Sequence, residues 1–174
     1  MAWTTPVNVA TGDVLTATRY NEEVVGNAGF LFKPPMASLY RAAALSNTAP
    51  SAYQSIAWDT QEFTNTDSMW VIGTPTRITL ATAGIYMVTA TVTFAASAVG
   101  LRALQLQRSG VAYAYGTLVP GSAVINYMNM TALVESDGTH YIEMFSTQST
   151  AGNLAYSVGA ANMRFGATWV GNPA

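Results

Sequence analysis

The sequence predicts an all-β jelly-roll sandwich of about ten strands, preceded by a short N-terminal arm with one small helix. Three observations carry that expectation. From Met36 onward apolar and polar residues alternate with period two, the pattern of strands that bury one face. Gly, Pro and Asp punctuate that pattern at short intervals, as turns between antiparallel strands do. No convincing helical spacing follows residue 35. With 174 residues, half of them apolar, the chain is long enough to bury a substantial core.

Residues 1–35 form the predicted arm and residues 36–174 the jelly-roll domain. Trp3-Thr4-Thr5-Pro6 is extended or turn-like, and Thr11-Gly12-Asp13 is a turn. Thr16 is placed to cap a helix that runs through Val25 and ends at Gly26-Asn27. Ala17, Tyr20 and Val24 give it a narrow apolar stripe. So short a helix is marginal alone in water, so the stripe must dock on something. Lys33-Pro34-Pro35 breaks regular structure and marks the domain boundary.

Within the domain, strands are expected at Ser38–Ala43, at Ile56–Asp59 with Glu62-Phe63, at Met69–Ile72 and at Arg77–Leu80. The clearest runs from Gly84 to Ala95. Its Tyr86, Val88, Ala90, Val92 and Phe94 make an apolar face, and Ile85, Met87, Thr89, Thr91 and Thr93 a threonine-rich one. Leu101–Arg108 turns at Ser109-Gly110 into Val111–Tyr115. Val124–Val134, Tyr141–Ser146, Leu154–Val158 and Asn162–Val170 complete the set.

The composition narrows function. Charged residues make up 9% of the chain, against about 25% in an ordinary soluble domain. A free monomer keeps itself dispersed with charge, so a surface this neutral is expected to be covered by copies of itself or by a larger assembly. Lys33 is the one lysine and the six arginines are scattered, so the clustered cations of a nucleic-acid binder are missing. The longest apolar stretch, Gly84 to Leu101, is interrupted by Thr and Ser and does not read as a membrane span.

Catalytic signals are weak. His140 is the one histidine, so any nucleophile needing an imidazole base must use it, and no Gly-x-Ser-x-Gly is present. A histidine just after the Asp137-Gly138 turn reads as a surface loop residue. Asp59, Glu62 and Asp67 are the densest acidic group, but they lack the spacing of a calcium loop and read as loop acids. Glu135 and Asp137 flank a turn and read likewise. No enzyme activity, metal or cofactor is expected. Tyr113 and Tyr115, taken as lying on one strand face, form a candidate ligand loop at which a host-surface glycan would stack.

The segment from Arg77 to Ala90, with Gly84-Ile85-Tyr86 leading into a long alternating strand, resembles the complement globular-head and tumour necrosis factor-like family. Phe63, Leu104 to Gly110, and Asn162-Met163-Arg164-Phe165-Gly166 extend the likeness over roughly residues 36–171. The resemblance implies a ten-stranded jelly roll that assembles as a compact homotrimer. It places Tyr40, Tyr86, Tyr127, Phe165 and Trp169 on the inner sheet, as candidates for the trimer interface or the core. The arm, through Trp3-Thr4-Thr5-Pro6, Thr11-Gly12-Asp13, Leu15-Thr16-Ala17 and Tyr20-Asn21, resembles the start of many tailed-phage virion proteins.

Together these resemblances imply a virion structural protein on the phage particle surface, made in the host cytoplasm. It would be a homotrimeric knob, serving as a capsid decoration (cement) protein or a short tail-associated protein, with other virion proteins such as the major capsid or tail proteins as partners. Trp3, Leu15, Tyr20, Val24, Phe30 and Phe32 are the arm residues expected to anchor it. The alternative is a receptor- or carbohydrate-binding module at a tail tip.

Overall fold

A computed structural model describes residues 4, 7, 10–48, 50–62, 68–120 and 124–172. Trp3, Phe63 and Asp67 therefore lie outside the described residues.

Among the described residues twelve strands follow the arm: β1 (Met36–Tyr40), β2 (Ser46–Asn47), β3 (Gln54–Ser55), β4 (Thr60–Gln61), β5 (Arg77–Thr79), β6 (Gly84–Phe94), β7 (Arg102–Arg108), β8 (Val111–Leu118), β9 (Asn126–Ser136), β10 (Tyr141–Gln148), β11 (Leu154–Ala155) and β12 (Arg164–Gly171). They form an antiparallel five-stranded sheet in the order β4-β1-β12-β6-β9. A second sheet runs β3-β10-β7-β8, with β5 also paired to β10. β2 and β11 make a small third pair. The chain passes between the two large sheets at the β3–β4, β4–β5, β5–β6, β6–β7, β8–β9 and β9–β10 connections, which is the jelly-roll sandwich the sequence predicts.

The alternation in β6 fixes which side faces in. Tyr86, Val88, Val92 and Phe94 are buried with Leu39 and Phe165 from neighbouring strands, opposite Leu104, Leu106, Ile142 and Met144 of the second sheet. Trp58 stacks on Phe165 with ring centroids 5.6 Å apart.

Two expected strands are not strands. Ile56–Asp59 is buried at Ile56 and Trp58, but its N–H groups go to different elements in turn. Ile56 donates to the Met144 carbonyl and Trp58 to the Pro75 carbonyl, each at 2.9 Å, so no ladder forms. Met69–Ile72 is instead drawn into a turn closed by Thr74 N–H donating to the Val71 carbonyl at 3.0 Å.

The arm also departs from expectation. Thr16 does cap the helix, its hydroxyl accepting from Arg19 N–H at 3.2 Å. The helix, however, does not stop at Gly26-Asn27. An α-helical turn (Ala17–Tyr20), a π-helical stretch (Asn21–Gly26) and a second α-helical segment (Asn27–Phe32) follow without a break. Gly26 stays right-handed at φ −62°, so it supplies no left-handed cap.

Asn27 is committed elsewhere. Its side chain accepts from Thr4 N–H at 2.9 Å and donates to the Thr4 carbonyl at 2.7 Å. One helical step earlier, Glu23 accepts from Val7 N–H at 3.3 Å, and Arg19, paired with Glu23, donates to the Val7 carbonyl. Arg19, Glu23 and Asn27, spaced by four, thus hold the leading segment along the helix. No helix among the described residues is long and apolar enough to cross a membrane.

Candidate functional site

Strand register assembles one surface that the core does not use, the outer face of the five-stranded sheet. Met36 pairs with Thr168, Thr168 with Met87, and Met87 with Leu133, giving one continuous row across β1, β12, β6 and β9. Met87, in the interior strand β6, is 42% exposed, and Leu133, on the edge strand β9, 62%. The next row is Ser38, Gly166, Thr89 and Thr131, and the one beyond it Tyr40, Arg164, Thr91 and Asn129.

The middle row is kept low by Gly166. A Cβ there would stand 3.0 Å from the Ala37 carbonyl oxygen. Thr91 donates to the Asn129 side chain at 2.8 Å, so this polar pair is satisfied within the face.

Charge is confined to the margins. Arg164 forks onto both oxygens of Glu62 at 2.7 Å, and Ser38 donates to Glu62 at 2.7 Å. The Ser38 hydroxyl and then Arg164 hold the Glu62 carboxyl below its ordinary pKa. Glu135 lies at the far corner, opposite Ile85. The centre of the face is therefore methionine, leucine and threonine with no ionised group among the described residues.

The five aromatic candidates divide between the two sides of this sheet. Tyr86, Phe165 and Trp169 face inward and are buried, so they serve the core. Tyr127 faces outward and is 57% exposed, and Tyr40 is half-buried on the outer side. The sequence reading overlooked Met87 and Leu133, although the threonine-rich side of β6 already placed Met87 on the outward face.

Of the arm candidates, Leu15, Tyr20, Val24 and Phe32 are exposed, with Val25 and Leu31 beside them. Phe30 must be taken off the list of residues that could anchor a partner. It is 1% exposed and meets Trp169 edge to face at 4.7 Å, inside the core of its own chain.

Tyr113 and Tyr115 are both exposed on β8, and their hydroxyls are held by different partners. A bulge places Leu106 opposite Ala114 and Gln107 opposite Ala112, so Tyr113 is the extra residue. Its hydroxyl donates at 2.8 Å to the Leu133 carbonyl of β9. Tyr115 instead accepts from Gln105 at 2.9 Å and lies 6.2 Å, ring to ring, from Tyr53. Arg108 donates to the Glu135 carbonyl at 3.0 Å. Tyr113 and Arg108 thus cap two carbonyls of β9, an edge strand of the sheet whose unpaired groups invite further strands.

The titratable groups do structural work. Asp59 accepts from Ala42 and Ala43 N–H at 2.8 Å each, from Thr60, and faces Arg41 at 3.4 Å. Burial works to raise its pKa, and these partners outweigh burial and lower it. His140 meets Asp137 within its own turn at 3.2 Å. No group of three or more metal-ligating side chains occurs among the described residues.

No protein-family model and no curated protein matches this sequence. Solved structures do. The globular domain of zebrafish complement 1qA aligns over 80% of this chain and 99% of its own, with a TM-score of 0.56 at 12% identity. Murine APRIL at pH 8.0 aligns over 78% and 98% (TM-score 0.61, 11% identity), and the Eiger TNF of S. frugiperda over 80% and 96% (TM-score 0.61, 10% identity). At these identities the likeness is one of fold.

Proposed function

We propose that this chain is a non-enzymatic structural protein of a phage particle: a homotrimeric knob, attached by its arm as a capsid decoration or short tail-associated protein. The observation that carries the assembly half is the row Met36–Thr168–Met87–Leu133 on a sheet face whose centre is uncharged. Covering a leucine or methionine is worth about 1.5–3 kcal/mol, and no unpaired charge at the centre opposes it. Heterologous contacts around a threefold axis close on themselves and stop at three copies. An obligate interface of this kind covers more than about 2,000 Å². The family resemblance of Gly84-Ile85-Tyr86 and its neighbours supports the same stoichiometry.

Attachment rests on the arm. Its leading segment is held to the helix by Arg19, Glu23 and Asn27, while Leu15, Tyr20, Val24, Val25, Leu31 and Phe32 remain exposed. The likeness of Trp3 to Asn21 to the start of phage virion proteins supports the particle as its partner.

Sedimentation tests the assembly. The chain is expected as a trimer, and the double variant Met87→Asp, Leu133→Asp as a folded single subunit. A parent chain that sediments as one subunit at high concentration overturns the reading. Particle attachment is tested by deleting residues 1–26, which spares Phe30 in the core. Trimers should persist and particle binding disappear, whereas binding by the truncated chain rejects residues 1–26 as the anchor.

A further inference from the structure

The turn between β7 and β8 carries a recess that assembly through the five-stranded sheet does not explain. Arg108, Ser109, Val111, Ala112, Tyr113 and His140 line a volume of about 270 Å³. It brings together the chain's one histidine and an arginine in an unusual state.

Among the arginines, Arg19, Arg41, Arg77 and Arg164 each face a carboxylate. Arg102 is buried among the carbonyls of Ser97, Val99 and Leu101. Arg108 has neither arrangement. It lies 5.3 Å above the Tyr113 ring and donates through Nη1 to the Glu135 carbonyl. No carboxylate among the described residues pairs with it, and its Nε and Nη2 have no acceptor there.

His140 adds a second donor. Its Nδ1 takes the Asp137 N–H at 3.4 Å when the ring is neutral, which puts the ring proton on Nε2. When the ring is charged, Nδ1 faces the Asp137 carboxylate at 3.2 Å, and Nε2 again carries a proton. Nε2 is a donor in either state. Ser109 supplies a third, because its Oγ accepts from Tyr141 N–H at 3.4 Å and leaves its own proton free. Asp137, which faces His140, is occupied by Thr139, whose N–H and hydroxyl donate to it at 2.9 and 2.7 Å.

We propose that this recess binds the carboxylate of an acidic monosaccharide unit. The site presents three donors, and with Asp137 beside His140 and Glu135 adjoining Arg108 its balance reaches at most one net positive charge. A singly charged carboxylate matches that balance better than a doubly charged phosphate, and the guanidinium fork suits carboxylate geometry. The volume lies just under the range of about 300–1,000 Å³ typical of pockets for drug-sized ligands, so it takes one sugar ring. Val111 and Ala112 supply an apolar wall for the ring's C–H face, and Ser109 a partner for a hydroxyl.

The single histidine makes the test direct, since the imidazole signals in a heteronuclear NMR spectrum of the full chain report on this recess alone. D-glucuronate is expected to shift them saturably, and D-glucose at the same concentration to leave them in place. Arg108→Gln should weaken glucuronate binding by about tenfold or more. Because Arg108 also caps the Glu135 carbonyl, Ser109→Ala provides a second variant that keeps the arginine, and it should weaken glucuronate binding too. Equal shifts with glucose, or unchanged affinity in both folded variants, overturn the site. N-acetylglycine binding as tightly as glucuronate overturns the sugar as its ligand. The outcome does not depend on oligomeric state, so it is separable from the fate of the trimer.

Discussion

Phe30 and Trp169 meet edge to face with ring centroids 4.7 Å apart and planes at 88°, and this contact ties the arm to the jelly roll. The indole is held on its other side as well, its Nε1–H donating to the Ala83 carbonyl at 3.1 Å. Through Phe30 the last turn of the arm helix is therefore part of the domain's core, while its Leu31 and Phe32 stay exposed with the portion before it.

Phe30→Ala should cost about 3–5 kcal/mol of stability, the range for removing a buried aromatic side chain. Denaturant unfolding followed by Trp fluorescence measures it. A loss below about 1 kcal/mol would mean that the arm contributes nothing to the core.

Gly84→Ala should be destabilising beyond its small change in volume. Gly84 sits at φ +143°, and a Cβ there would stand 2.0 Å from Trp169 Nε1 and 2.7 Å from the Gly171 carbonyl oxygen. The indole cannot retreat without leaving Phe30 and Ala83. Overpacking of this kind costs about 1–3 kcal/mol, to which the backbone strain adds. A thermal melt within a degree or two of the parent's refutes the constraint.

Asp59 should make stability fall on acidification. Its folded pKa lies below the ordinary aspartate value of 3.8, so its contribution is fully present above that value. It is lost as pH falls through the lower, folded value. Asp59→Asn keeps one acceptor for two N–H donors and should cost about 1–2 kcal/mol at pH 7. It should also flatten the decline of stability below about pH 4. Parallel pH–stability curves for the two proteins would remove Asp59 as the cause.

The long elements were legible because they satisfy local rules. In β6 the alternation of Tyr86, Val88, Ala90, Val92 and Phe94 with Ile85, Met87 and the threonines specifies a strand and its buried side in one pattern. Ser109-Gly110 specified the hairpin between β7 and β8, since both residues adopt positive φ. Ile56–Asp59 misled for a physical reason: burial makes a segment apolar whether or not a neighbour completes its ladder. The bulge at Tyr113 was invisible because it depends on how β8 pairs with β7, and alternation within β8 alone carries no sign of it.

The sequence by itself determined the sandwich and its shortage of charge, because these follow from periodicity and composition summed over many residues. Only the tertiary structure decided that Phe30 belongs to the core, that Met36, Thr168, Met87 and Leu133 form one row, and that Arg108 and His140 line one recess beside the turn. Each of those depends on strand register and on the packing of segments far apart in the chain. A local pattern fixes which way a side chain turns from its own strand, and it cannot say which distant residue will stand beside it.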